Sequence, residues 1–263
     1  MSVIGLPVAK TDVYLRSPAG ADEILLLEAP RLDFGVAIVL LARLARTADD
    51  KPIDGPALAV CDVDALLLRL RQEIIGDMLR TDTVCAATGC SRRVDIAFSI
   101  EAYLQHHEPS VPAGVVPAAE PGWHRLDADS QVEFRPPRAA DQLAIAIDAD
   151  PFEALWGRCV RGGARTNELR QRVEDVMESM APSLYGELSG TCSECGADVV
   201  LEFDPLAHVL GELRGRAAYL YQDVALIAHH YHWSEAEILD LPAARRTRYA
   251  ELAAEHGRGR DWH

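Results

Sequence analysis

Aromatic residues are scarce in this sequence: phenylalanine, tyrosine and tryptophan make up 6% of its 263 positions. Hydrophobic residues still reach 49%, so a core must be built mainly from alanine, leucine, valine and isoleucine. That composition favours helices over a β-sandwich. Long apolar runs are also missing. The most apolar stretch, Phe34 to Leu44, is interrupted at Arg43 and falls well short of the ~20 residues that cross a bilayer. Met1 to Lys10 shows no charged segment leading into an apolar one, so no secretory signal is expected. The expectation is a soluble, cytoplasmic chain without a membrane partner. Positive charge is in deficit too, with 26 basic against 41 acidic residues and a formal net charge of −15. Such a chain is repelled by phosphate backbones, and nucleic acid is not expected as a partner. No H-E-x-x-H, phosphate loop, G-x-G-x-x-G or G-x-S-x-G is present, which removes the commonest catalytic signatures.

What is there divides along the chain. Residues 1–35 read as an N-terminal arm of short apolar pieces broken by Pro7, Pro18 and Pro30. Residues 36–107 carry helices and a first cysteine pair, with Asp62 or Asp64 expected to cap a helix running to about Leu79. Residues 108–131, holding Pro109, Pro112, Pro117 and Pro121, read as a linker. Residues 132–263 carry further helices, a second cysteine pair and the C-terminal helices, and are expected to form one compact unit with 36–107. Helices are expected over Pro151 to Val160, Thr166 to Met180, and Pro205 to about Tyr231 in one piece. Ser234 with Glu237 forms a capping box for a further helix, and Pro242 opens the last one.

One pattern occurs twice. Shifting the chain by 105 residues lays Cys90 on Cys195, and Val94, Ile96 and Phe98 on Val199, Leu201 and Phe203. The alternation implies two strands that each bury one face. Cys192-Ser-Glu-Cys195-Gly196 has the C-x2-C-G form of a metal knuckle, in which a tight turn aims backbone N–H groups at the thiolates. Cys85 and Cys90 are separated by four residues, a looser version. Together Cys85, Cys90, Cys192 and Cys195 would complete a closed tetrahedral site for one structural zinc, with no open position for a substrate. The expected fold class is α+β: mostly helical, with a small zinc-ribbon-like antiparallel sheet built from the two knuckles. Cys61 and Cys159 lie in apolar helical contexts and are expected as buried core thiols.

Candidate catalytic groups are few. His106-His107-Glu108 contains H-x-E, as zinc deaminases do, but the Cys192 pair follows Thr191 rather than proline and lies far downstream. The histidine pair and Glu108 therefore read as a polar helix end. A zinc-dependent enzyme acting on a small substrate is the alternative class; the expectation is that the chain is no enzyme. His229, His230 and His232 beside Trp233 read as packing or partner-contact groups.

The run from Leu220 to Pro242, with Tyr231-His-Trp-Ser-Glu235 and Ile238-Leu-Asp-Leu-Pro242 at its heart and Arg245-Arg246 after it, resembles the C-terminal segment of small proteins from contractile-tail loci. The wider arrangement, two cysteine knuckles among helices over residues 62 to 255, resembles the baseplate hub assembly chaperone family of T-even-type contractile phage tails and related contractile injection systems. Phe134-Arg-Pro-Pro137 with Asp141 and Leu143 looks like that family's short extended motif between the knuckles, whereas the Cys85-x4-Cys90 spacing departs from it. The resemblance implies a protein-binding assembly factor, or a structural component of a baseplate, whose partners are baseplate or hub proteins. The residues expected to meet the partner are Tyr231, His232, Trp233, Glu237, Ile238, Leu241, Arg245 and Arg246, on amphipathic helices suited to docking another protein.

Overall fold

A computed structural model describes residues 2–126, 129–163 and 166–258. In chain order the elements are β1 (Ser2–Gly5), β2 (Asp12–Leu15), α1 (Gly20–Glu28), α2 (Phe34–Leu44), β3 (Ala45–Arg46), α3 (Val60–Ile75), β4 (Met78–Val84), β5 (Arg93–Ser99) and α4 (Ile100–His106). There follow β6 (Val115–Pro117), β7 (His124–Leu126), β8 (Asp129–Phe134), α5 (Ala139–Ile145), α6 (Pro151–Cys159), β9 (Val160–Arg161) and α7 (Asn167–Met180). The chain ends with β10 (Gly186–Thr191), β11 (Asp198–Phe203), α8 (Pro205–Arg216), α9 (Leu220–Tyr231), α10 (Glu235–Leu239) and α11 (Ala243–Arg258). The class is α+β with small antiparallel sheets. Among the described residues no helix is long and apolar enough to cross a membrane.

The chain folds into two compact units, one of Met1–Val3, Val13–Ile53 and Leu206–His263, the other of Ile4–Asp12 and Asp54–Pro205. This differs from the expected arrangement, because the C-terminal helices belong with the first helices rather than with the cysteine segments. The N-terminal arm is not an arm: it holds β1, β2 and α1. Residues 108–131, expected as a linker, instead supply β6 and β7, which continue as a four-stranded sheet in the order β6-β7-β8-β9. Proline is compatible with this, since Pro117 ends β6 at a sheet edge.

Local signals explain most helix ends. Asp33 caps α2 by accepting from the Val36 amide at 3.1 Å, Thr166 caps α7 through Leu169 at 3.2 Å, and Ser234 with Glu237 caps α10. Asp62 and Asp64 cap nothing. Both are buried in α3, where Asp62 accepts from the Val8 and Ala9 amides at 2.7 and 3.0 Å. The single helix expected from Pro205 to Tyr231 is broken by a 3-10 turn at Ala217–Tyr219.

The duplication extends far beyond the cysteines. Arg16 holds Asp22 with both terminal nitrogens at 2.7 and 3.0 Å, and Asp22 in turn accepts from the Ala19 amide at 2.9 Å. Arg135 holds Asp141 at 2.6 and 3.0 Å, and Asp141 accepts from the Arg138 amide at 2.9 Å. The shift is 119 residues (135 − 16 and 141 − 22). β2 pairs with β3 through Tyr14↔Arg46 and Leu15↔Ala45, and β8 pairs with β9 through Glu133↔Arg161 and Phe134↔Val160, the same antiparallel register. The start of α3 maps onto the start of α7 by 107 residues (167 − 60). Both copies therefore read β-α-α-β-α-β-β-α, from β2 to α4 and from β8 to α8.

Candidate metal centre

Each cysteine pair closes a two-stranded hairpin. In the first hairpin Thr83 pairs with Val94, and in the second Gly190 pairs with Val199. The outgoing strands map by 105 residues (199 − 94) and the incoming ones by 107 (190 − 83); the difference is two extra residues in the first turn. Both turns are closed alike: the Cys85 amide donates to the Arg92 carbonyl and the Cys192 amide to the Ala197 carbonyl, each at 2.8 Å. The two hairpins remain separate two-stranded sheets, β4-β5 and β10-β11, instead of sharing one ribbon as expected. They meet through side chains. Val94 and Val199 pack with Cys85 and Cys192 in one buried cluster, and Phe98 meets Phe203 edge to face at 5.3 Å.

This packing gathers the four expected sulfurs, all within 4.8 Å of one another. Cys85 Sγ lies 3.6 Å from Cys195 Sγ, and Cys90 Sγ lies 3.8 Å from Cys192 Sγ. A disulfide would require about 2.05 Å. A tetrahedron of four sulfurs around an ion at about 2.3 Å has edges of about 3.8 Å, so the observed spacing fits a four-thiolate cage. The duplication maps Cys85 onto Cys192 and Cys90 onto Cys195, so the two short contacts are one contact seen twice about a local two-fold relation.

The turns are built to hold thiolates. The Cys195 and Glu194 amides donate to Cys192 and draw its pKa down to about 7. Amides also reach the first pair, Ala87 to Cys85 and Arg92 to Cys90, but burial and the neighbouring thiols push both of these up, Cys90 to about 12. In the absence of a cation, four sulfurs this close favour sharing protons over four negative charges. Gly196 adopts φ +74° after the second pair, as the C-x2-C-G form requires, and its counterpart Ser91 adopts φ +47°.

Other expected site residues lie elsewhere. Among the described residues the cysteine quartet is the one group that brings three or more His, Cys, Asp or Glu ligand atoms together, so His106, His107 and Glu108 do not join it. His107 Nδ1 sits 2.9 Å from the Tyr103 carbonyl at the end of α4, and Glu108 is exposed. Cys61 and Cys159 are buried as expected, and burial raises their pKa values to about 12 and about 11.

The eight residues expected to meet a partner fall into two groups. Ile238 is fully buried with Ile227 and Ala250, and Arg246 is buried where it pairs with Glu23 and lies 3.7 Å from Asp223. Glu237 is committed to the Ser234 cap. These three hold the unit together, and the two buried ones offer no surface to a partner. Tyr231, Trp233 and Leu241 are half-buried, with Tyr231, Trp233 and Tyr249 forming an aromatic triangle of 5.1 to 5.7 Å centroid distances. His232, in a left-handed cap, and Arg245 are exposed. The alternation of apolar and charged residues from Trp233 to Arg246 marks a helix–helix packing face, and sequence alone does not say whether that face is met from inside the chain or outside.

No family model matches the chain, and no curated protein or solved structure matches it.

Proposed function

We propose that this chain is a protein-binding assembly factor, or a structural component, of the baseplate of a contractile phage-tail-like particle, stiffened by one structural zinc. The observation that carries the structural half is the closed quartet of sulfurs. Four thiolates at tetrahedral spacing satisfy zinc completely and leave no position for a substrate, which suits a cross-link between two hairpins rather than a reaction centre. A soft all-sulfur donor set selects zinc over harder cations, and the cage with its paired hairpins acts as a two-part zinc ribbon. The assembly half leans on the resemblance of residues 220–246 to contractile-tail proteins. The exposed His232 and Arg245 beside the half-buried Trp233 leave that segment a surface for baseplate or hub proteins.

Two measurements test the halves separately. Elemental analysis of the purified protein is expected to give one zinc per chain, and Cys192→Ser to abolish it; two zincs, or none from metal-replete cells, would overturn the shared cage. Deleting the gene from its own locus is expected to leave particles without complete baseplates in electron micrographs. Normal particles would remove the assembly role and leave the metal site standing.

A further inference from the structure

The two copies of the duplicated helical hairpin differ in what covers them. In the first copy α1 packs against the Ala217–Tyr219 turn, α9 and α10. The approach is close: a Cβ at Gly20 would stand 2.6 Å from Leu239 Cδ2 and 2.9 Å from its Cα. Tyr221 donates to Glu28 at 2.9 Å, and Arg246 pairs with Glu23. Under this cover Ile24, Leu25 and Leu27 are half-buried.

Shifted by 119 residues, the same face of the second copy falls on α5 and the turn after it, and here it is open. Leu143, the counterpart of Ile24, is 39% exposed; Ile147, the counterpart of Glu28, is 95% exposed; and Phe152, at the start of α6, is 80% exposed. Large apolar side chains presented together by one helical hairpin are unusual on a surface that nothing covers. Exposed Asp148 and Asp150 flank them.

We infer that the α5–α6 face is a docking surface for an amphipathic helix of another protein, with an apolar stripe edged by arginine or lysine. The first copy shows the mode, since helices close the equivalent face and an arginine from them answers an acidic residue on α1. The charge selects the partner. A second copy of this chain, at −15, would bring like charge to the acidic rim, whereas a basic-edged helix meets it with opposite charge. This surface is distinct in sequence from the 220–246 segment, and the inference does not depend on the contractile-particle reading, whose test is particle formation.

The test uses the full chain and a fluorescent 18-residue helical peptide with leucine at i, i+3, i+4 and i+7 and lysine or arginine beside them. A twin peptide carries glutamate at the flanking positions. Saturable binding of the basic peptide, at least tenfold tighter than its acidic twin, is expected. Ile147→Ser with Phe152→Ser is expected to weaken it at least tenfold while circular dichroism and metal content stay unchanged. Asp148→Lys, which leaves the apolar residues in place, is expected to weaken the basic peptide several-fold and to improve the acidic one. Absence of binding, equal binding of the two peptides, or indifference to both sets of substitutions overturns the inference. So does a dimer in sedimentation that the Ser substitutions dissolve, since the occupant would then be a second copy.

Discussion

Phe98 and Phe203, equivalent by the internal duplication, meet edge to face with ring centroids 5.3 Å apart. Each closes the far end of a hairpin whose other end carries a cysteine pair, so this contact sets the distance between the pairs. Phe203 is 2% exposed. Phe203→Ala is expected to cost about 3–5 kcal/mol in chemical denaturation and to weaken metal retention against a chelator. Retention equal to that of the unaltered protein would show that the cage holds its geometry without the ring contact.

The ion pair of Arg135 with Asp141 should be far more costly to break than a surface pair. Asp141 is 2% and the Arg135 side chain 11% exposed, and removing one partner of a buried pair costs about 3–5 kcal/mol. Asp141→Ala is expected to lose about that much, and Asp22→Ala to lose a similar amount in the first copy. A double-mutant cycle on Arg135 and Asp141 checks it, and a coupling near zero would contradict it. Burial raises the Asp141 pKa, but hydrogen bonds from Arg135 and the Arg138 amide, the Arg135 charge and Arg158 together bring it below its usual value. Its contribution is therefore present above the ordinary aspartate range and fades as pH falls through the lowered value.

Asp64 acts in the opposite sense. Burial, and then the charge of Asp204, raise its pKa to about 7, so the folded chain takes up a proton that the unfolded chain has released. Its cost is absent below about pH 4, grows as pH rises, and is complete above about pH 7. Asp64→Asn is expected to raise stability at pH 8 by on the order of 2–4 kcal/mol and to change little at pH 4. Equal effects at both values would place its ionisation elsewhere.

Ser91 occupies the left-handed backbone that Gly196 occupies in the second turn. Ser91→Gly is expected to stabilise the chain by about 0.5–1 kcal/mol and Gly196→Ser to destabilise it by a similar amount, both read from the denaturation midpoint.

Gly20 and Ala139 are equivalent positions under different cover. Gly20→Ala drives a Cβ into the Leu239 backbone and is expected to cost about 1–3 kcal/mol. In the second copy Ala139 already carries the extra methyl without exposure. A melting temperature unchanged by Gly20→Ala would mean that α10 can step back freely.

The cysteine hairpins were legible because thiols are rare and their spacing is fixed by the ion they suit. The same 105-residue shift that aligned Cys90 with Cys195 also aligned the Phe98 and Phe203 strands. The rest of the duplication escaped because its signal is an arginine and an aspartate six residues apart, with a proline between them, in Leu15-Arg-Ser-Pro18 to Asp22 and Phe134-Arg-Pro-Pro137 to Asp141. Arginine and aspartate are common, and the shift there is 119 residues rather than 105. Asp62 and Asp64 misled because aspartate ahead of an apolar run usually caps a helix; here Asp62 serves amides from the distant Val8–Ala9 segment, which only the fold brings near. The prolines of 108–131 suggested a linker, but strands of three residues leave room for proline at their ends. Ile238 and Arg246 looked available because amphipathic patterning does not tell an internal helix contact from an external one.

The cage joins cysteines far apart in the chain, and this gives its assembly an order in time. Cys192 lies 102 residues beyond Cys90, so at roughly 5–20 residues per second the ribosome needs about 5–20 s to add the second turn after the first. Throughout that interval the first turn presents two thiols and half a coordination sphere. Neighbouring chains on one messenger carry the same half at the same moment. Each nascent chain must therefore close on its own second turn before it meets the turn of another, and the speed of translation between residues 90 and 192 becomes a determinant of whether the product is one closed molecule or an exchanged pair.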